Sequence, residues 1–192
     1  DAGGLLISTL SYNQNKQLVQ TPELVMRNIM TYLDQYRMIN DQLDIGFNLG
    51  TEDEPNIFSG YLINFGVKFE VNADRRVNPT DVKIQVINTI KDFFKVERMQ
   101  FRQSINMGDL QYHILGLEGV IGIKVLKLFQ VGHDRNMAYY QSTGELVDDG
   151  ESGYGFKYEF DNSLVDGIYR PSLTPSVFEL RNPNQDIYGK VI

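Results

Sequence analysis

The residues in this chain whose types lend themselves to chemistry are two histidines and one short acidic, glycine-bearing stretch. His133 stands beside Asp134, the residue types that a triad or a metal site would use. Adjacent residues seldom converge on one ligand, so a solvated loop pair is the plainer reading. His113 falls inside a predicted short helix, without the second histidine and glutamate of a helical zinc motif. Asp148, Asp149 and Glu151 gather carboxylates as glycoside hydrolysis or calcium binding would require. Their spacing lacks the alternating ligands and distant bidentate Glu of a calcium loop, and a Gly-rich acidic turn accounts for them. Ser152-Gly153 lacks the nucleophile elbow, and neither a P-loop nor a dinucleotide fingerprint occurs. The sequence therefore nominates no catalytic, cofactor-binding or metal-ligating residue, and no enzyme is expected.

Composition narrows the classes further. The 192 residues, 42% of them hydrophobic, suffice for one good core with an appendage or for two small domains. Cysteine is absent, which removes disulfides and thiolate chemistry and fits folding in a reducing cytoplasm. The net charge of −7 and the scattered Lys and Arg argue against a nucleic-acid partner. No apolar run approaches the roughly 20 residues a bilayer span needs, so no membrane partner is expected. The chain begins at Asp1 rather than at a methionine, which suggests part of a longer protein. Glu52-Asp53-Glu54 beside Pro55 reads as a solvated loop.

The elements that would position any site are clearest between residues 60 and 129. Tyr61, Ile63, Phe65, Val67, Phe69 and Val71 alternate with Asn64, Gly66, Lys68, Glu70 and Asn72, the period-two pattern of a half-buried strand. Asn78-Pro79-Thr80-Asp81 opens a helix with a cap, a proline at the first position and an acidic first turn. Val82, Val86, Ile87, Ile90, Phe93 and Phe94 give that helix an apolar stripe. Met99, Phe101 and Ile105 suggest a short or edge strand, and Asn106 caps a short helix carrying Leu110 and Ile114, with Gly116 and Gly119 at its end. A second strand is expected from Val120 to Phe129, with Ile121, Ile123 and Val125 on one face. Upstream, Thr21 as cap and Pro22 at the first position begin a helix whose Val25, Ile29, Leu33 and Tyr36 should dock on the core. Beyond Phe129, turn signals recur at Ser142-Thr143-Gly144, Asp148-Asp149-Gly150 and Asp166-Gly167 between short alternating stretches such as Phe156, Tyr158 and Phe160. Pro171, Pro175 and Pro183 are expected to prevent the last segment from joining a central ladder continuously, so that it runs over the surface with brief edge-strand episodes and either wraps a partner or packs back on its own domain.

The succession TYLDQYRMIND, GYLINFGVKFEV, VNPTDVKIQVINTIKDFF and INMGDLQYHILGLEGVIGIKVLKL resembles the baseplate J-like family of contractile-tailed phages over about residues 22 to 129. Asp109-Leu110 and Gly119-Val120 match that family's Asp-Leu pair and its Gly-Val step into the last strand. The closing stretch RPSLTPSVFELRNPNQDIYGKVI is similar to the C-terminal end of baseplate wedge subunits of T-even-type phages that carry this domain. Read for organisation, the chain is expected to be an α+β protein in three parts: a linking arm over 1–20, the module over 21–129 that carries the J-like resemblance and a β-rich appendage over 130–192. The resemblance implies a structural role in the virion, in which copies of the chain pair and join other wedge proteins into a ring around the hub. That ring takes part in the rearrangement that triggers sheath contraction. A carbohydrate-binding adhesion module is the alternative, motivated by Tyr139, Tyr140, Tyr154, Tyr158 and Tyr169. A cell-wall hydrolase would need a cleft around Asp149 or Glu151.

Overall fold

The computed structural model describes residues 7–36, 45–46, 57–131, 145–148, 154–158, 160–171 and 175–192, and mixes helices with several sheets as an α+β protein. Two compact units divide at Tyr61 and Leu62.

In the first unit, β1 (Ile7–Thr9), β2 (Ser11–Tyr12), β3 (Leu18–Val19), α1 (Glu23–Leu33), β4 (Ile45–Gly46) and β5 (Ile57–Ser59) follow in order. A three-stranded parallel sheet runs β1-β5-β4, and β2 and β3 form a hairpin. The Asn13 side chain closes that hairpin by accepting from the N–H groups of Asn15 and Gln17, an Asx turn that lets Lys16 adopt a positive φ. In α1, Pro22 takes the N-cap and the Thr21 side chain does not cap it. The buried side chain of α1 is Met26, while Val25 and Tyr36 of the expected core stripe are exposed.

The second unit is built on β6 (Tyr61–Ala73), a strand of 13 residues. Ile63, Phe65, Val67, Phe69 and Val71 are all fully buried on its inner face. Each stabilises by roughly 1.5–3 kcal/mol before entropy is counted, so a slip of one residue in register would be prohibitive. Their cover begins with α2 (Pro79–Phe93), where the Asn78 side chain accepts from the Thr80 N–H and Pro79 takes the first position, as the sequence indicates. Val82, Val86 and Ile90 face the core, joined by Phe94 just past the helix.

A 3-10 turn (Val96–Arg98) follows, and the strand expected around Met99 shrinks to β7 (Ile105–Asn106). Asn106 then caps α3 (Met107–Leu115) by accepting from the Gly108 N–H, and Leu110 and Ile114 are buried. The strand β8 (Val120–Gln130) pairs antiparallel with β6 from Phe65↔Gln130 to Ala73↔Val120. Two register shifts, between Glu70 and Val71 and between Asn72 and Ala73, leave Lys124 and Ile121 as extra residues. Each bulge inverts the side-chain alternation. The inward set is therefore Leu128, Leu126, Ile123 and Val120, and Ile121 and Val125 leave the face on which they were expected.

The C-terminal region departs most from expectation. It contains β9 (Glu145–Asp148) and β10 (Tyr154–Lys157), paired antiparallel, then α4 (Phe160–Ser163), β11 (Leu164–Val165), β12 (Ile168–Tyr169), β13 (Ser176–Glu179) and β14 (Ile187–Val191). Both β13 and β14 pair with β6 in the central four-stranded sheet, and β14 runs parallel to it from Ile187↔Val67 to Val191↔Val71. Every residue of β13 is buried. The final segment is thus part of the core rather than a strap across the surface. The prolines permit this because Pro175 precedes β13 and Pro183 lies in the turn before β14, so neither removes a donor from within either strand.

Close backbone approach makes Gly189 a sensitive test of this arrangement. A Cβ there would lie 2.2 Å from the Phe69 carbonyl oxygen and 2.6 Å from the Phe69 ring. Gly189→Ala is expected to cost about 1–3 kcal/mol or more in urea unfolding. Asn78→Ala, which removes only the α2 cap, should cost about 1 kcal/mol. A Gly189→Ala protein as stable as the wild type would contradict the placement of β14.

Candidate interaction surface

The register that drives alternate β6 residues inward sends Lys68, Glu70 and Asn72 to the opposite face. Parallel pairing sets Tyr188 beside Lys68 and Lys190 beside Glu70, and antiparallel pairing sets Lys127 opposite Lys68 and Val125 opposite Glu70. Three strands therefore present one continuous outer face. Its upper part is aromatic: the Phe129 ring lies across Gly66, where a Cβ would come within 2.2 Å of it, and meets Tyr188 with ring centroids 5.0 Å apart. That contact ties β8 to β14 over the top of β6, a glycine covered by a cross-strand ring. Beside it, Lys68, Phe69, Glu70, Tyr188, Gly189 and Lys190 line a shallow depression of about 280 Å³.

Electrostatics set this face apart from the rest of the chain. Glu70 is 17% exposed and lies between Lys190 at 3.3 Å and Lys124 at 3.8 Å, whose side chains are about 60% exposed. Exposed pairs of this kind contribute roughly 0–1 kcal/mol each, so they orient side chains more than they hold the fold. Lys68 and Lys127 are exposed and directly opposed across the ladder, an arrangement that destabilises a sheet. Four lysines around one glutamate make a basic face on a protein of net charge −7. With two rings at one end and charge along the rest, it joins the aromatic and charged groups that protein-contact surfaces use.

At the same end of the sheet, Asp186 precedes β14, and its carbonyl oxygen accepts from the Val67 N–H at 2.8 Å. Its carboxyl oxygen Oδ2 is buried with no hydrogen-bond partner among the described residues. Burial pushes this carboxyl above its ordinary value, partly offset by a backbone hydrogen bond at Asn182.

The chemistry-bearing residues of the sequence do not converge. His113 is exposed on α3, with its ring 5.9 Å from that of Phe93. Asp148 ends β9, whereas His133, Asp134, Asp149, Glu151, Ser152 and Gly153 lie outside the described residues, as do the Glu52–Glu54 loop, Tyr139 and Tyr140. Among the described residues, no three His, Asp or Glu gather as metal ligands, and no helix is long and apolar enough to cross a membrane. Tyr154 opens β10. Tyr158 and Tyr169, two of the aromatics behind the carbohydrate reading, are buried core residues, and the Tyr158 hydroxyl donates to the Arg170 carbonyl oxygen at 2.6 Å. They present no ring face for a sugar. The basic face was missed because its residues come from three separated segments. The local signal was no more than lysines at alternate positions in otherwise apolar strands.

No protein-family model matches the chain, and no curated protein matches it in sequence.

The Asp186 carboxyl gives a pH dependence of definite sign. Because its folded value is raised, its contribution to stability is fully present below the unfolded value of about 4 and is lost as pH rises through the folded value. Asp186→Asn should therefore melt higher than the wild type at neutral pH, with the gap closing as the pH falls toward about 4. A gap that did not change with pH would contradict the assignment.

Proposed function

We propose that this chain is a structural assembly module of a contractile-tail baseplate, the C-terminal part of a wedge subunit like those of T-even-type phages. In this role it contacts further copies of itself and other wedge proteins, helping to join wedges into a ring around the hub. Its chemistry is contact rather than turnover.

The observation that carries this reading is the order of elements between Tyr61 and Gln130. A long strand, a capped helix, a short helix and a second long strand follow one another there, with a 3-10 turn and β7 between the helices, and the resemblance to the J-like family rests on that succession. Asp109-Leu110 falls in the first turn of α3, and Gly119-Val120 steps into β8. A well-packed α+β unit with a distinct basic, aromatic face suits a part that must keep its own shape while its neighbours move. Baseplate rearrangement requires one interface to persist as another gives way.

Localisation tests this directly. Antibodies raised against residues 62–192 and viewed by electron microscopy on virions of the encoding phage should label the baseplate end of the tail. Label confined to fibre tips, or absence of the protein from purified virions, would overturn the proposal.

A further inference from the structure

The outer face of the β6 sheet has a chemical complement elsewhere in the same unit. Leu164 and Val165 of β11 are 45% and 54% exposed, although they are apolar. They stand on a hairpin whose central residues Asp166 and Gly167 both have positive φ, the geometry of a tight two-residue turn. The hairpin is held rigidly. Its second strand, β12, pairs with β7 through Ile168↔Asn106 and Tyr169↔Ile105, and the Met107 N–H donates to the Gly167 carbonyl oxygen at 2.9 Å. Asp166 in the turn is exposed, and so is Asp109 in the first turn of α3, the helix whose first residue Met107 is hydrogen-bonded to Gly167. The tip is therefore a preorganised hairpin end that carries exposed apolar residues next to carboxylates.

We propose that the β11–β12 hairpin of one copy docks on the lysine-bearing outer sheet face of a second copy, so that the chain associates head to tail. Val165, more exposed than Leu164, covers Tyr188, and Asp166 and Asp109 meet Lys68 and Lys127. The opposed Lys68 and Lys127 point to a carboxylate-bearing occupant, since a carboxylate between them relieves a repulsion that the isolated chain carries. Pairing this face with itself would set lysines against lysines, which disfavours a two-fold contact through it. Tyr169 and Phe160 anchor the hairpin in the core under the inner face of β6, whereas the lysines leave from the opposite face. One copy thus offers both surfaces at once, and a heterologous contact of this kind closes into a ring or continues as a filament. The inference deepens the assembly reading by naming a self-contact, and its test needs no phage.

The test is light scattering of the 192-residue chain after size exclusion, from low to high micromolar concentration, at low and at high salt. Two variants are compared: Lys68→Glu with Lys127→Glu, which reverses the face, and Val165→Arg, which spoils the tip. The wild type should associate more strongly at low salt. Each variant alone should weaken association by about tenfold or more. Mixed together, the two variants should form a one-to-one dimer that grows no further, because one intact face and one intact tip remain. Circular dichroism melts check folding, and Lys68→Gln with Lys127→Gln supplies a milder form of the face variant. A wild type that is monomeric throughout, a variant that associates as the wild type does, or a mixture that stays monomeric would each overturn the proposal. Any of these results would leave the baseplate reading to be judged by labelling of virions.

Discussion

Five fully buried side chains on one face of β6, from Ile63 to Val71, are the constraint on which the second unit depends. A strand that buries this much apolar surface on one side must be covered along its whole length, and local sequence supplies only part of the cover through α2 and α3. The remainder comes from far along the chain. The Phe65 ring lies 4.8 Å from that of Phe94, and 6.2 and 6.3 Å from those of Phe160 and Phe178. Tyr158 packs on Phe160 at 4.6 Å and on Phe178 at 5.5 Å. Tyr158, Phe160, Tyr169 and Phe178 are thereby committed to the core, where their large area does most for stability.

Once the inner face is fixed, the outer face follows from strand geometry. Period two sends Lys68 and Glu70 outward, the pairing of β14 adds Tyr188 and Lys190, and the pairing of β8 adds Lys127 and Phe129. The bulges in β8 bend this edge strand and set Lys124 against Glu70. Bulges and lysines on an edge discourage indiscriminate strand pairing. Association through the flat of the sheet, where charge and ring placement can discriminate among partners, is the alternative left to such a molecule.

Features encoded by neighbouring residues were legible in the sequence. The inward set from Ile63 to Val71, the Asn78-Pro79 helix start and the Asn106 cap all appear where the sequence places them, because propensity, capping and periodicity act within a few residues. Asn64 and Gly66, expected on the open face of β6, are instead buried, because cover from distant elements reaches both faces there. The phase of β8 was not legible, since a bulge arises from pairing with β6 and no residue in Val120–Gln130 announces it. The exposed side of α1 was misread for a related reason: Val25 and Met26 are both apolar neighbours on a helix, and only tertiary contact decides which is buried. Prolines in the final segment argued against a central strand, yet Pro171 and Pro175 precede β13 and Pro183 falls between β13 and β14, so none lies within either strand. Cross-strand register likewise hid the basic face.

The strand β14 is an integral member of the β6 sheet, completing the core on one side and the lysine-bearing face on the other. Amide hydrogen exchange measured residue by residue tests it most directly. The account predicts that Val67, whose N–H donates to Asp186, and Ile192, whose N–H donates to Val71, exchange together with the α2 amides, in the slow class set by global unfolding. Rapid exchange at Ile192 and along β14, with slow exchange retained between β6 and β8, would show a tail that is not part of the core and would contradict the account.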